Sequence, residues 1–232
     1  MNKKRFVFDL FAGCGGLSTG LELAGFDPAL VCELDKDARQ SFLMNRYSRL
    51  GGTLFSEISA LHFSDINELD ASKIDELKAF LGALDEGISF EHEMGSTIDL
   101  VCGGPPCQGY SGIGHRRSYS VDKKDLPSNQ LFAKMAVFIE SIRPKIFLFE
   151  NVKGILSGRW TAEGVKGEIW ADIRARFRQI PGYQVRWSLV HAKDYGVPQN
   201  RPRVLLIGIR DDIVLSAGLD VDIDFDDAIK TK

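Results

Sequence analysis

Phe6-Val7-Phe8-Asp9-Leu10-Phe11-Ala12-Gly13-Cys14-Gly15-Gly16 decides the fold. An apolar run of strand length passes without a linker into a glycine-rich turn, and a helix from about Leu17 to Ala24 follows. Glycine lets the backbone turn tightly and approach a ligand closely, and a helix N-terminus carries partial positive charge. A second strand near Ala29 to Glu33 brings an acid, Glu33, to its end, about 20 residues beyond the turn. That spacing suits a carboxylate that holds a ribose diol in a nucleotide-type site. Taken alone, the turn could serve a dinucleotide, S-adenosylmethionine or tight strand–helix packing. Its glycines do not follow the spaced GxGxxG fingerprint, and Phe11 is bulky where that fingerprint wants a small residue.

Outward from this turn, short apolar runs alternate with helical patterns, the signature of a parallel α/β sheet. A helix over about Lys36 to Asn45 follows the second strand, and a short strand is expected before Asp65. Ala71 to Leu84 reads as a helix with Ile74, Leu77, Leu81 and Leu84 on one face. A polar loop leads to a strand at Ile98 to Cys102. Leu131, Met135, Phe138 and Ile142 stripe the next helix, which Arg143-Pro144 ends. Ile146 to Phe149 is wholly apolar, as expected of a strand covered on both faces. Ile169, Trp170, Ile173 and Phe177 mark another helix, and Gln184 to Val190 and Arg203 to Ile209 the last strands.

Three further clusters carry chemistry. Gly103-Gly104-Pro105-Pro106-Cys107-Gln108-Gly109-Tyr110-Ser111 follows a buried strand directly, and its prolines fix an irregular backbone at the sheet edge where such folds bind ligands. A cysteine there becomes a nucleophile where its surroundings favour the thiolate; the bland alternative is a turn with an incidental cysteine. Phe149-Glu150-Asn151-Val152 puts a carboxyl group at the mouth of the next strand, a candidate proton donor or a salt-bridging acid. Asn151 is placed to cap a turn or tie the loop down. Gln199-Asn200-Arg201-Pro202-Arg203 sets two arginines at i and i+2 of an extended segment, facing one side, with forks suited to a carboxylate, phosphate or base edge.

The composition is that of an ordinary globular protein: 232 residues, 44% hydrophobic and 26% charged. No apolar run approaches the roughly 20 residues of a membrane span, and the start is no secretory signal; a cytoplasmic protein without membrane association is expected. The four cysteines, Cys14, Cys32, Cys102 and Cys107, form no CxxC pair and have no histidine at zinc spacing, so no metal is expected. Cys32 and Cys102 read as small buried hydrophobes. A net charge of −3 fits poorly with a broad phosphate-gripping face. Positive charge is local, at Arg116, Arg117, Lys123 and Lys124, whereas residues 211–232 hold seven aspartates against two lysines.

As an ordered set running from about Phe6 to Arg210, these motifs resemble the DNA (cytosine-5)-methyltransferase family. The resemblance implies a Rossmann-like S-adenosylmethionine-dependent methyltransferase fold, α/β, with a mostly parallel, doubly wound sheet and one antiparallel strand near the edge. It implies a catalytic, cofactor-binding domain over residues 1–210, then an acidic tail or linker over 211–232. Asp9, Phe11, Ala12, Gly13, Gly15, Gly16 and Leu17 would form the cofactor loop, with Phe11 against the adenine. Glu33 would hold the ribose, Asp65 and Ile66 the adenine edge, and Pro105 and Leu131 would line the pocket. Leu34 stands where many relatives carry an aromatic ring.

The resemblance further implies catalysis by Cys107 as nucleophile and Glu150 as acid, with Arg201 and Arg203 completing the set. Gln108, Ser111, Arg116, Asn151 and Gln199 would contact substrate, a cytosine flipped out of double-stranded DNA. S-Adenosylhomocysteine would be the product, and no metal would be needed. The segment from Gly109 to Ser128 would be a mobile loop closing over the base. The setting implied is a bacterial-type restriction–modification or orphan modification enzyme working at the nucleoid. Complete members continue into a target-recognition domain and a closing segment. Because the sequence stops at Lys232, these are expected from the rest of the same chain or from a second subunit, and the isolated chain is expected to have little activity.

Competing readings are an RNA cytosine-5 methyltransferase of the same family, a non-catalytic subunit that keeps the fold, and a nicotinamide-dependent oxidoreductase. The last lacks its glycine fingerprint. Intact Cys107, Glu150, Arg201 and Arg203 speak against the second.

Overall fold

The computed structural model describes residues 5–47, 62–84, 90–91, 95–96, 98–106 and 130–218. Seven strands follow the order β3-β2-β1-β6-β7-β9-β8: β1 Phe6–Leu10, β2 Asp27–Cys32, β3 His62–Phe63, β6 Leu100–Gly103, β7 Ile146–Val152, β8 Tyr183–His191 and β9 Pro202–Arg210. A separate two-stranded ribbon, β4 Phe90–Glu91 with β5 Gly95–Ser96, stands in the stretch read from sequence as polar loop. The expected mostly parallel sheet with an antiparallel strand near one edge is therefore present. β3, β2, β1 and β6 are parallel, and β8 pairs antiparallel with β9 at the sheet margin.

By contact the chain forms two compact units, one of residues 1–104 with 137–147 and the other of residues 105–136 with 148–232. In the first, β1 is central. Val7, Phe8 and Leu10 are fully buried, because parallel strands flank β1 on both edges and side chains cover both faces. The helices α1 Gly16–Leu23, α2 Lys36–Tyr47 and α3 Ala71–Leu84 serve this unit, along with the C-terminal half of α4 Leu131–Ile142. Phe138 of α4 reaches the ring of Phe8 at 6.2 Å between centroids. α4 stops as the sequence indicates: Arg143 takes a positive φ of 52° while its N–H still reaches Ile139 O, and Pro144 cannot continue the helix.

Asp99 locks three strand starts together. Its Oδ2 accepts Phe6 N, its Oδ1 accepts Lys145 Nζ at 2.6 Å, and its carbonyl accepts Ile146 N.

In the second unit, α5 Glu168–Arg178 lays Ile169, Trp170, Ile173 and Phe177 inward, the stripe expected from sequence. Phe177 meets Phe149 of β7 at 5.3 Å, and Trp170 packs edge-on to Trp187 of β8 at 5.2 Å. β7 departs from expectation in two ways. It runs on to Val152, so Glu150 lies inside the strand, and only Phe147, Phe149 and Asn151 are buried while their neighbours are half-exposed. Residues 211–217, expected to begin an acidic tail, instead form helix α6. Asp211 and Asp212 occupy its first turn, where negative charge favours helix formation, and Asp212 pairs with Arg210.

Among the described residues, no helix is long and apolar enough to cross a membrane.

Truncating Phe177 to alanine should remove about 3–5 kcal/mol of stability, since the ring is fully buried against Phe149. Urea unfolding measures this; a loss under about 1 kcal/mol would show that α5 is not anchored by that ring.

Candidate functional site

The glycine turn is hydrogen-bonded to the end of β2. Phe11 N and Ala12 N both donate to Cys32 O, at 2.8 and 3.1 Å, and Gly13 N donates to Glu33 Oε2 at 2.7 Å. Glu33 Oε1 accepts Asp35 N at 2.8 Å, which leaves each carboxylate oxygen a lone pair for a further donor. Phe11, the residue that fits the dinucleotide fingerprint poorly, is accommodated by a left-handed backbone with φ 66°. Such a conformation is unfavourable for a bulky residue, and strain of this kind gathers at ligand sites.

Gly13 and Gly16 have open space where a Cβ would point, whereas a Cβ on Gly15 would lie 2.4 Å from Arg46 Nη1. Gly15 has φ 89° and begins α1 without any side-chain cap, and the first turn holds no acid. The helix thus presents first-turn N–H groups that no side chain caps. Leu17 is half-buried, and Leu34 is 72% exposed. Asp65 caps a short 3-10 turn by accepting Asn67 N at 2.9 Å, and Ile66 is buried in the core.

Asp9, at the start of the expected cofactor loop, is buried beneath the turn, because β1 is covered on both faces. Its Oδ2 accepts a short hydrogen bond from Ser18 of α1. Ser18 therefore joins strand to helix under the turn, a role that no sequence motif indicated. Burial pushes the Asp9 carboxyl up to about 6, against the opposing pull of the Ser18 hydroxyl, the Cys102 thiol and the Arg46 charge. Cys32 is pushed up to about 12 by burial and then by the Asp65 charge, and Cys102 well above its ordinary value by burial. Both thiols stay protonated, as the reading of them as buried hydrophobes requires.

The second unit holds the other cluster. Glu150 Oε1 lies 2.5 Å from Arg203 Nε. The contact is a charge pair more than an aligned hydrogen bond, since the Nε–H finds no acceptor in line. Arg203 Nη1 also donates to Pro202 O at 2.8 Å. The next residue of β7, Asn151, is buried. Its Nδ2 donates to Pro105 O at 3.1 Å and its Oδ1 accepts Val152 N. Asn151, expected to tie the loop down or to touch substrate, anchors the turn at Pro105, itself buried. Arg201 and Arg203 do not act as a pair: Arg201 and Gln199 are exposed in the bend before β9, and Arg203 is drawn in by Glu150. Leu131 is half-buried at the start of α4. Cys107, Gln108, Ser111, Arg116 and the segment from Gly109 to Ser128 lie outside the described residues. Among the described residues, no group of three or more His, Cys, Asp or Glu could hold a metal ion.

Strand order, glycine turn and strand-end acid define a Rossmann-like α/β protein of the methyltransferase type. The family model described as C-5 cytosine-specific DNA methylase matches residues 6–226, and the chain belongs to that family. It is 36% identical over 206 residues to the type II methyltransferase M.DdeI of Desulfomicrobium norvegicum, covering 89% of this chain and 41% of that protein. With M.FnuDI of Fusobacterium nucleatum it shares 33% over 210 residues, 90% of this chain and 48% of that protein. The crystal structure of an E. coli prophage-encoded DNA modification methyltransferase is similar at TM-score 0.63 and 30% identity, covering 94% of this chain and 49% of that one. The Schizosaccharomyces pombe Dnmt2 structure shares the fold at TM-score 0.54 and 16% identity. The chain thus spans less than half the length of the two curated relatives named.

Asp9 gives a pH signature. Its folded value lies above the ordinary 3.8, so its stabilising effect is complete below about pH 4 and is lost as pH rises through 6. Replacing it, Asp9→Asn, should flatten that slope. The stability difference between wild type and variant should change by on the order of 2–3 kcal/mol between pH 4 and pH 7 in urea titrations. A difference independent of pH would place the Asp9 proton elsewhere.

Proposed function

We propose that this protein transfers the methyl group of S-adenosylmethionine to carbon 5 of cytosine in double-stranded DNA, through a covalent adduct of Cys107. The observation that carries the reading lies in two consecutive residues of β7. Glu150 is charge-paired with Arg203, while Asn151 holds the carbonyl of Pro105, two residues before the cysteine. The acid, a guanidinium and the carbonyl of Pro105 are thus gathered at one strand end.

The glycine turn fits the cofactor. Gly13 and Gly16 leave room for close approach, uncapped N–H groups of α1 suit its carboxylate, and Glu33 retains acceptor capacity for ribose hydroxyls. When bound, S-adenosylmethionine supplies an electrophilic methyl on sulfonium and leaves as S-adenosylhomocysteine. The chain supplies the rest. Carbon 5 of cytosine is a poor nucleophile until the Cys107 thiolate adds to carbon 6. Glu150 hydrogen-bonds or protonates N3, drawing electron density through the ring so that carbon 5 can take the methyl group. Loss of the carbon-5 proton to solvent water, return of any N3 proton to Glu150 and expulsion of Cys107 restore the ring and the thiolate. Arg203, paired with Glu150, orients the carboxyl group and balances its charge.

The base must leave the duplex to reach such a site, at a few kcal/mol of unstacking energy. Gln108, Ser111, Arg116, Arg201 and Gln199 are proposed to meet it or its strand. The type II naming of the relatives supports a role in restriction–modification, with cytoplasmic DNA as the substrate. Sequence specificity is proposed to reside in a target-recognition domain, consistent with the greater length of those relatives.

With the recognition part supplied, in the same chain or as a second subunit, DNA containing 5-fluorocytosine should trap an adduct stable to denaturing gel electrophoresis. The trap should vanish with Cys107→Ala. Glu150→Gln should slow methyl transfer about 10²–10⁴-fold while leaving S-adenosylmethionine affinity unchanged. An adduct that persists in Cys107→Ala, or methylation of tRNA but not duplex DNA, would overturn the proposal.

A further inference from the structure

Arg46, in the last turn of α2, takes no part in the chemistry above, yet it is 5% exposed and lies directly behind the glycine turn. Its Nε and Nη2 reach the two carboxylate oxygens of Glu22 on α1, at 2.8 and 3.0 Å. Nη2 also reaches Gly15 O at 3.3 Å and Thr19 Oγ1 at 3.4 Å, and the guanidinium lies 3.7 Å from the centroid of the Phe42 ring. Gly15 O in turn accepts Thr19 N and Thr19 Oγ1, at 2.9 and 2.8 Å. A Cβ on Gly15 would collide with both Arg46 and Phe42. One fork therefore grips the N-cap carbonyl, the first turn and the last turn of α1 together. Arginine alone offers that geometry, because its donors are coplanar and fixed.

We propose that Arg46 is a positioning residue for the methyl donor: its clamp on Gly15 and Glu22 holds the start of α1 so that Gly13 and Gly16 keep their open side toward the cofactor. The inference rests on the reading of the glycine turn as the S-adenosylmethionine site. Arg46 touches no ligand. It lowers the ordering cost that binding would otherwise meet, and preorganisation of this kind appears in the dissociation constant.

The test uses the protein with its recognition and closing parts supplied, in the same chain or as a second subunit, and titration calorimetry with S-adenosylmethionine and S-adenosylhomocysteine, well below the melting temperature of every variant. Arg46→Met keeps the aliphatic stem and loses the fork. It should weaken both ligands about tenfold and speed hydrogen exchange at Gly15, Gly16 and Thr19. Arg46→Lys, which retains one charge for Glu22, should recover part of the affinity. Lys145→Met, breaking the Lys145–Asp99 pair elsewhere in the same unit, is the control for stability loss and should leave both affinities unchanged. Should Arg46→Met fail to fold, Glu22→Gln carries the same expectation with a smaller change.

Unchanged affinity in these variants, with Glu33→Ala still abolishing binding, would overturn the role of Arg46 and leave the cofactor site standing. Absence of binding by wild type would overturn both. Equal weakening by Lys145→Met would reduce Arg46 to general stability.

Discussion

The carbonyl of Cys32 accepts two successive amide protons, from Phe11 and Ala12, and on that double bond the candidate site depends. β1 and β2 are parallel neighbours, so the chain leaving β1 must turn sharply to enter α1 without colliding with the end of β2. Docking the turn onto that end satisfies two N–H groups that would otherwise be buried without partners. It also forces Phe11 into a left-handed conformation and carries Gly13 N onto the Glu33 carboxylate. The turn and the acid are therefore one unit: the acid that would hold a sugar is the same group that fixes the turn facing it.

Beneath this lies a division of labour between buried and exposed charge. Asp9 and Arg46 are both almost wholly buried, at a cost unless each finds partners. Arg46 finds Glu22 and Gly15 O on α1, and Asp9 finds Ser18 for its Oδ2, while its Oδ1 is buried without a hydrogen-bond partner among the described residues. α1 has only eight residues, too few to be stable by itself, so its placement comes from these tethers more than from its own helical propensity. In the second unit the logic repeats on a smaller scale, with Asn151 buried and engaged at Pro105 while Glu150, one residue earlier, is half-exposed and paired with Arg203.

What sequence reading recovered were features with a local signature. The glycine turn, the strand-end acid and the helix stripes of Ile74 and Leu77 or of Ile169, Trp170, Ile173 and Phe177 each follow from spacing within a few turns of chain. The Arg143-Pro144 stop did too. The rest was decided by tertiary contact. A strand flanked and covered on every side buries Asp9, and Ser18 meets it from α1 with no motif to announce the pairing. Asn151 offered a tie for a loop, but its partner, Pro105 O, lies 46 residues away and has no local signature. Arg201 and Arg203 share a side on paper, but β9 begins at Pro202, so only Arg203 has a strand to orient it. Arg46 could not be found at all, since its partners Gly15 and Glu22 lie a whole strand away in sequence and no periodicity links them.

Around the glycine turn and Pro105, the motif residues divide into those that leave space and those packed behind it. Gly13 and Gly16 belong to the first kind, Asp9, Gly15 and Asn151 to the second. Gly15 is the clearest case. Its positive φ and its contact with Arg46 and Phe42 place its missing side chain toward the protein, so packing by itself requires glycine there. Packing behind the turn therefore constrains this position whatever the turn binds, and a substitution there would disturb the turn through Arg46 and Phe42.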